Sequence, residues 1–527
     1  MFQKYPKILF PLYFCIVFFF YKNSHAIILT DDAFSFFKLF EENGFAGYSQ
    51  NYGFTSLYYF THLVNIIFYK LLGTNTFYWL VLMIFLHSLN AYLCFILFKI
   101  YYKKHLIENA TLIAGIASFI FLISPFQSEN ILWAATLHYA LCLLLFFGIG
   151  IYILSLDKIQ SSFSYFIIFL GYITSLLTME MALVFPFSWY LLKEGFQFDI
   201  RKTTFFKVWL GLFTIIPLYF IATKLIKGHF IPHYSEVHLS NHGLVQYATQ
   251  FLKYVSKTLF FTHFSDHKNV IYTALESPLL LWIVWAIIVS ISTIYFIKHP
   301  AKTKILLTLF VLSFFFLMPV INMYFMVVHQ YENNRLGYYF SIFLFQFFVF
   351  MVFQCKTYLR YLILVPYILI CFYFTNIVSE DARDAGTIYK TCIQTFPHTK
   401  SGIVYLTNLP NNFKGFYLFR NLDRFKEALA FFRDKNPMMI AIAGTSLLHF
   451  QDSFRYEFFG DNILRVGHTN YGDYFMKRNL GATNYSEKEF DFMVDEYSLN
   501  YQVHFKKPLE LNDEILIFQR DRFIKIW

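Results

Sequence analysis

The feature that most limits what this chain can fold into is the recurrence of long apolar runs. They lie at residues 8–21, 77–98, 109–124, 131–155, 163–178, 181–192, 205–223, 279–297, 305–328, 336–353 and 358–376. Several approach the roughly 20 residues that a helix needs to cross a bilayer. In lipid a spanning segment must pair its own backbone groups, so such runs read as helices. Only 14% of the residues are charged while 57% are hydrophobic, against roughly 25% charged in a soluble domain. The expected architecture is an α-helical multi-pass membrane protein of about eleven helices.

The charges between these runs predict a topology. With the N-terminus cytoplasmic, the inner connections hold Lys99, Lys103, Lys104, Lys158, Lys193, Arg201, Lys202, Lys298, Lys302, Lys304, Lys356 and Arg360. The short outer connections hold Glu129, Glu180, Glu332 and a single Arg335. This is the positive-inside asymmetry, and it places the C-terminal tail outside. The 181–192 run is short for a crossing, yet omitting it would invert every later loop. The net charge of +10 is thereby topological and does not point to nucleic acid. Six cysteines show no disulfide framework and no metal-type spacing.

The run at 8–21 follows Lys4 and Lys7 and precedes Ser24 and Ala26. It fits either a membrane anchor or a cleaved signal peptide, and either puts the next residues outside. A first outside loop, 23–75, contains the adjacent carboxylates Asp31 and Asp32 and an amphipathic stretch at 58–69, expected as an interfacial helix roofing them. A second, 224–277, carries His229, His233, His238, His242, His263 and His267. Their spacing fits no metal-site pattern, so a loop over the site is the simpler reading. From residue 377 onward the composition changes. Residues 403–406, 439–443 and 514–518 read as strands and 423–432 as a helix. A small extracytoplasmic α/β domain over 377–527 is expected after a membrane domain over 1–376.

Carboxylates beside a membrane are the informative minority. Asp31, Asp32, Glu129 and Glu180 fall at outer helix ends, where they either converge on one cavity or merely end helices in the headgroup region. Arg335 is a cation on the side that otherwise avoids them. Its planar donor fork suits a phosphate, although an ion pair with Glu332 or Glu129 would also account for it. His138 either adds a donor or packs.

Several motifs resemble the GT-C superfamily of polytopic glycosyltransferases, in particular the protein O-mannosyltransferase-like branch and its bacterial members. They are Asp31-Asp32, Gly73-Thr74-Asn75 with His87-Ser88-Leu89-Asn90-Ala91, and Ser124-Pro125-Phe126-Gln127-Ser128-Glu129-Asn130-Ile131-Leu132-Trp133. Thr178-Met179-Glu180 with Pro186, Asn334-Arg335-Leu336-Gly337-Tyr338-Tyr339 and Asn408-Leu409-Pro410-Asn411-Asn412-Phe413-Lys414-Gly415 are similar as well. The chain departs from the pattern at His138, where an Arg is usual, at Met179 for a Lys, at Asn334 for a Glu, and at Tyr52-Gly53-Phe54 for "Y-R-P". It has no tetratricopeptide repeat.

The resemblance implies a GT-C fold in a bacterial inner membrane and inverting transfer of a sugar from a polyprenyl-phosphate carrier to a protein, lipid or glycan hydroxyl. Asp31 is then the expected general base, with Asp32 orienting the acceptor or sharing that role. Arg335, helped by His138, would hold the donor phosphate, and Glu129, Glu180, His87 and Asn90 would shape the acceptor pocket. No cofactor is implied beyond the lipid-linked donor. A divalent metal is compatible, but the spacing names no ligands for one. The alternatives are a lipid-linked sugar flippase, which should show mid-membrane ionisable residues and repeats, and a polymerase or ligase of envelope oligosaccharides.

Overall fold

The computed structural model describes residues 6–24, 37, 40–45, 57–156, 161–196, 205–230, 243–261, 279, 281–283, 285–286, 289–290, 300–324, 334–397, 402–414, 416–419, 421–433, 438–447, 453–460, 462–469, 474–477, 480–481 and 483–527. Up to residue 395 these are mainly helical. The helices are α1 Leu9–Tyr21, α2 Tyr59–Leu72, α3 Thr76–Lys104, α4 Ala110–Ile123, α5 Ser128–Leu132, α6 Leu137–Ser155, α7 Ser162–Leu176, α8 Phe185–Glu194, α9 Phe206–Lys227, α10 Leu244–Phe260, α11 Pro300–Leu317, α12 Tyr338–Val352 and α13 Thr357–Thr395.

Among the described residues six helices are long and apolar enough to cross a membrane, or seven if the bent pair α4 and 125–132 counts as one span. Eleven were expected, and the difference has local causes. Helices α1 and α7 have 13 and 15 residues, short of the roughly 20 needed to cross unaided. The 181–192 run is divided between a 3₁₀ turn, Glu180–Val184, and the 10-residue α8. Most of 279–297 lies outside the described residues. The fold is that of a membrane protein, mostly helical, with a β-rich C-terminal region.

Helix α3 forms the centre of the bundle, packing against α1, α4 and α6, while α12 packs against α4 and α11. The face that α4 buries includes Ala114, Gly115, Ala117 and Ser118, small residues that let helix backbones approach closely. Gly73, with φ 58 and ψ −138, turns the chain from α2 into α3 through a conformation that side chains disfavour. Asn75 then caps α3 by accepting from the Phe77 amide at 3.1 Å, as an N-cap amide should.

The break after α4 sets the position of the candidate site. Pro125 forces the residue before it out of the helical region, and Ser124 is extended at φ −67, ψ 128. The chain bends by 57° into the short helix α5. Trp133 is extended again before the 3₁₀ turn Ala134–Thr136 leads into α6. The Thr136 hydroxyl donates to the Trp133 carbonyl at 2.7 Å, which closes that second turn.

Helix α13 runs without a break past residue 376 to Thr395, about 58 Å at 1.5 Å per residue. Its first half exposes Tyr358, Leu362, Val365, Leu369 and Tyr373, and its second half buries Val378, Ala382, Ala385 and Cys392. Beyond it lie fourteen strands among the described residues and the helix α14, Leu422–Arg433. β1 Ile403–Leu406 lies parallel to both β4 Met438–Ala441 and β13 Glu514–Gln519. β14, Arg522–Lys525, completes that sheet, in the order β14-β13-β1-β4. The three strands expected from sequence therefore share one sheet, and α14 links its strand β4 to β3, Phe416–Tyr417, of another sheet. Two further five-stranded sheets run in the orders β10 (Tyr485–Ser486), β11 (Phe490–Val494), β12 (Asn500–Phe505), β7 (Ile463–His468), β6 (Phe454–Phe459) and β3 (Phe416–Tyr417), β2 (Leu409–Phe413), β5 (Gly444–Leu447), β8 (Tyr474–Lys477), β9 (Leu480–Gly481). They make the region richer in β-structure than a small α/β domain.

Candidate functional site

Glu129 on α5 and Arg335 in the 3₁₀ turn Asn334–Gly337 are brought together by the break after α4 and by the turn that opens α12. The Arg335 backbone amide donates to Glu129 Oε2 at 2.7 Å, and its guanidinium Nη1 donates to Oε1. One carboxylate thus grips both the main chain and the side chain of one residue. The side chains are 12% and 8% exposed, so this pair is far less screened than a surface salt bridge. The Arg335 Cζ lies 4.9 Å from the centroid of the Trp133 ring, in cation–π range. Tyr254 of α10 is near enough to feel both charges. Asn130 and Asn334, adjacent in sequence to the two ions, are buried amides whose oxygen and nitrogen have no hydrogen-bond partner among the described residues.

A second polar group lies beside the first. The Tyr58 hydroxyl donates to Glu180 Oε2. Glu180 lies in the 3₁₀ turn between α7 and α8, outside the spans, and burial pushes its carboxyl up to about 7 against the opposing hydrogen bond from Tyr58. His138 connects the two groups. Its ring is 5.5 Å from Tyr58 and 4.7 Å from Tyr139, and it lies within electrostatic range of Arg335. Its Nε2 has no partner among the described residues. Helix α2 is tied to the same connection: the Phe60 amide donates to Leu177 O at 3.0 Å and the Thr61 hydroxyl to Thr178 O at 3.0 Å. His62, on α2, is pushed down to about 3 by burial, with Lys227 and His138 adding to the shift.

His87 and Asn90 have other partners. His87 Nε2 faces the Leu122 carbonyl at 3.1 Å, so it must be the protonated nitrogen, leaving Nδ1 to accept from Tyr338 at 3.0 Å. Asn90 donates to Ala140 O at 2.9 Å and to the Tyr338 hydroxyl at 3.4 Å. Both are buried between helices. They fix Tyr338, which begins α12 three residues after Arg335, and so support the cationic turn from behind.

Asp31 and Asp32 lie outside the described residues, as do Glu332 and five of the six histidines named in 224–277. Among the described residues no group of three His, Cys, Asp or Glu side chains could hold a metal ion. Sequence reasoning missed Tyr254, which nothing but tertiary contact distinguishes among 40 tyrosines. It placed Tyr58 in the amphipathic stretch and Tyr338 in the Arg335 motif, but gave neither hydroxyl a partner.

Fold and site define a polytopic membrane-type protein with a buried, charge-paired cluster where several helices break or begin. No protein-family model matches the chain, and no curated protein matches it.

Proposed function

We propose that the protein is a membrane glycosyltransferase of GT-C type that moves a sugar from a polyprenyl-phosphate carrier to an acceptor hydroxyl on the extracytoplasmic side. The observation that carries this reading is the Glu129–Arg335 pair held against Trp133, with Tyr58–Glu180 and His138 beside it. A positioned guanidinium in a poorly solvated place is what a departing phosphate requires.

In this reading the acceptor oxygen bonds to the anomeric carbon as the bond from that carbon to the carrier phosphate breaks. The bonding electrons leave with the phosphate, next to Arg335. Asp31 takes the acceptor proton, and Asp32 orients the acceptor or shares that task. Glu129 orients Arg335, and Glu180 with Tyr58 shapes the acceptor side. The prenyl tail lies among the apolar helices of a bacterial inner membrane, and the C-terminal region faces the same side as the acids.

The test incubates membranes containing the full chain with a panel of radiolabelled polyprenyl-phosphate sugars and follows the label. Wild type should transfer one of them, while Asp31→Asn and Arg335→Gln should each lower the rate at least a hundredfold. Full activity in both Asp31→Asn and Asp32→Asn would remove the base assignment. Movement of labelled carrier across the membrane without transfer would favour a flippase.

A further inference from the structure

The Asn408–Gly415 segment shared with the resemblance has no role in the chemistry above, and its position in the fold suggests one. β2, Leu409–Phe413, and β3, Phe416–Tyr417, form a hairpin that reaches back from the C-terminal region to the break after α4. The Tyr417 ring lies 6.0 Å from the Trp133 ring at an interplanar angle of 45°. Trp133 in turn carries the Arg335 guanidinium over its ring. A single aromatic ring therefore separates the hairpin from the cation assigned to the donor phosphate.

The hairpin is rigidly held. Lys414 Nζ donates to Asp381 Oδ1 on α13 at 2.5 Å, a pair whose carboxylate side chain is 8% exposed. The Lys414 amide donates to Leu447 O at 2.8 Å, and the Leu418 amide to Asn411 O at 2.8 Å. On the neighbouring strand β5, a Cβ at Gly444 would come within 2.0 Å of Asn411 Nδ2, so Asn411 packs directly on the bare backbone there. Asn408 is tied through both amide atoms to Phe518, at 2.7 Å each. Against these anchors, Tyr417 and Trp133 are only half-buried, although Phe413 and Phe416 of the same hairpin are fully buried. Rigid support beneath two half-buried aromatic rings is the arrangement of a preorganised contact surface.

We propose that Trp133 and Tyr417 together form an aromatic wall for the sugar ring of the donor, so that the C-terminal region completes the donor site and Tyr417 is a specificity-determining residue. This rests on the glycosyltransferase reading. The carrier phosphate on Arg335 places the first sugar within one ring of Tyr417. The apolar C–H face of a pyranose stacks on aromatic faces, whereas bare carrier phosphate has nothing to offer Tyr417.

The test measures binding of two probes to the purified full chain: polyprenyl phosphate alone, and the polyprenyl-phosphate sugar that binds wild type best. Tyr417→Ala should weaken the glycosylated lipid about tenfold, the scale of one aromatic contact, and leave the bare carrier unchanged. Retained binding of the bare carrier shows that the variant is folded. Tyr417→Phe should keep wild-type affinity for both, and Arg335→Gln should weaken both. Equal loss of both probes in Tyr417→Ala, or loss of neither, would overturn the aromatic wall. Absence of transfer, with the discrimination by Tyr417 intact, would overturn the transferase reading alone. Failure of wild type to bind either lipid would overturn both.

Discussion

Replacing Glu129 by Gln should destabilise the protein through Arg335. The two side chains are 8% and 12% exposed, so removing one charge leaves the other poorly solvated. Breaking such a pair costs about 3–5 kcal/mol. The Gln side-chain oxygen can still accept from the Arg335 amide, which it meets at 2.7 Å in the native carboxylate, so the lower end, about 3 kcal/mol, applies. With an unfolding entropy of ~2.1 cal/mol/K per residue over ~300 helical residues, that is a fall in Tm of roughly 5 °C. The assay is thermal denaturation of the full chain in detergent at one scan rate, since such proteins unfold irreversibly. The double variant Glu129→Gln/Arg335→Met removes both charges and should recover most of the loss, because a buried pair replaced by apolar groups is close to neutral. A shift below about 1 °C for Glu129→Gln, or a double variant as unstable as the sum of the two single ones, would refute the coupling.

Glu180 and His62 should give opposing pH dependences. The Glu180 carboxyl is raised from 4.5 to about 7, so its contribution is present below pH 4.5 and is lost as pH rises through 7. His62 is lowered from 6.5 to about 3, so its contribution is present above pH 6.5 and is lost as pH falls through 3. Between pH 4.5 and 6.5 the two slopes oppose each other: in melts across that window, Glu180→Gln should become more stable with rising pH and His62→Gln less. Pro125→Ala should release Ser124 into the helical region, reduce the 57° bend and lower Tm by an amount similar to Glu129→Gln, with no additional loss when the two are combined. Asp381→Asn should raise hydrogen–deuterium exchange in β2, Leu409–Phe413, whose turn it anchors through Lys414, while exchange in α3 stays unchanged.

How much of this was legible in the sequence varied with the range of the interaction. Element positions followed from local pattern. The apolar run at 77–98 lies within α3, Thr76–Lys104, the stretch at 58–69 forms α2, Tyr59–Leu72, together with its N-cap Tyr58, and the helical spacing at 423–432 lies within α14, Leu422–Arg433. Local chemistry was legible too. Pro125 marks the break after α4, and Asn75 caps α3, as residues of those types do anywhere. The number of crossing helices was not, because hydropathy cannot show that 181–192 is divided by a 3₁₀ turn. For Arg335 the sequence allowed a phosphate or two carboxylate partners.

Apolar pattern alone identifies a membrane-type helical chain, since helical runs this apolar have no stable place except in lipid or in a buried bundle. It also shows which few polar residues are costly to bury. Which of them meet depends on contacts far apart in the chain. Glu129 and Arg335 are 206 residues apart, Tyr58 and Glu180 are 122 apart, and His87 and Asn90 turned to Tyr338. Periodicity places a residue on a face of its own helix. Which face it meets is set by how the breaks at Ser124, Met179 and Gly337 aim the helices that follow, and by the close approach that small residues on α4 permit.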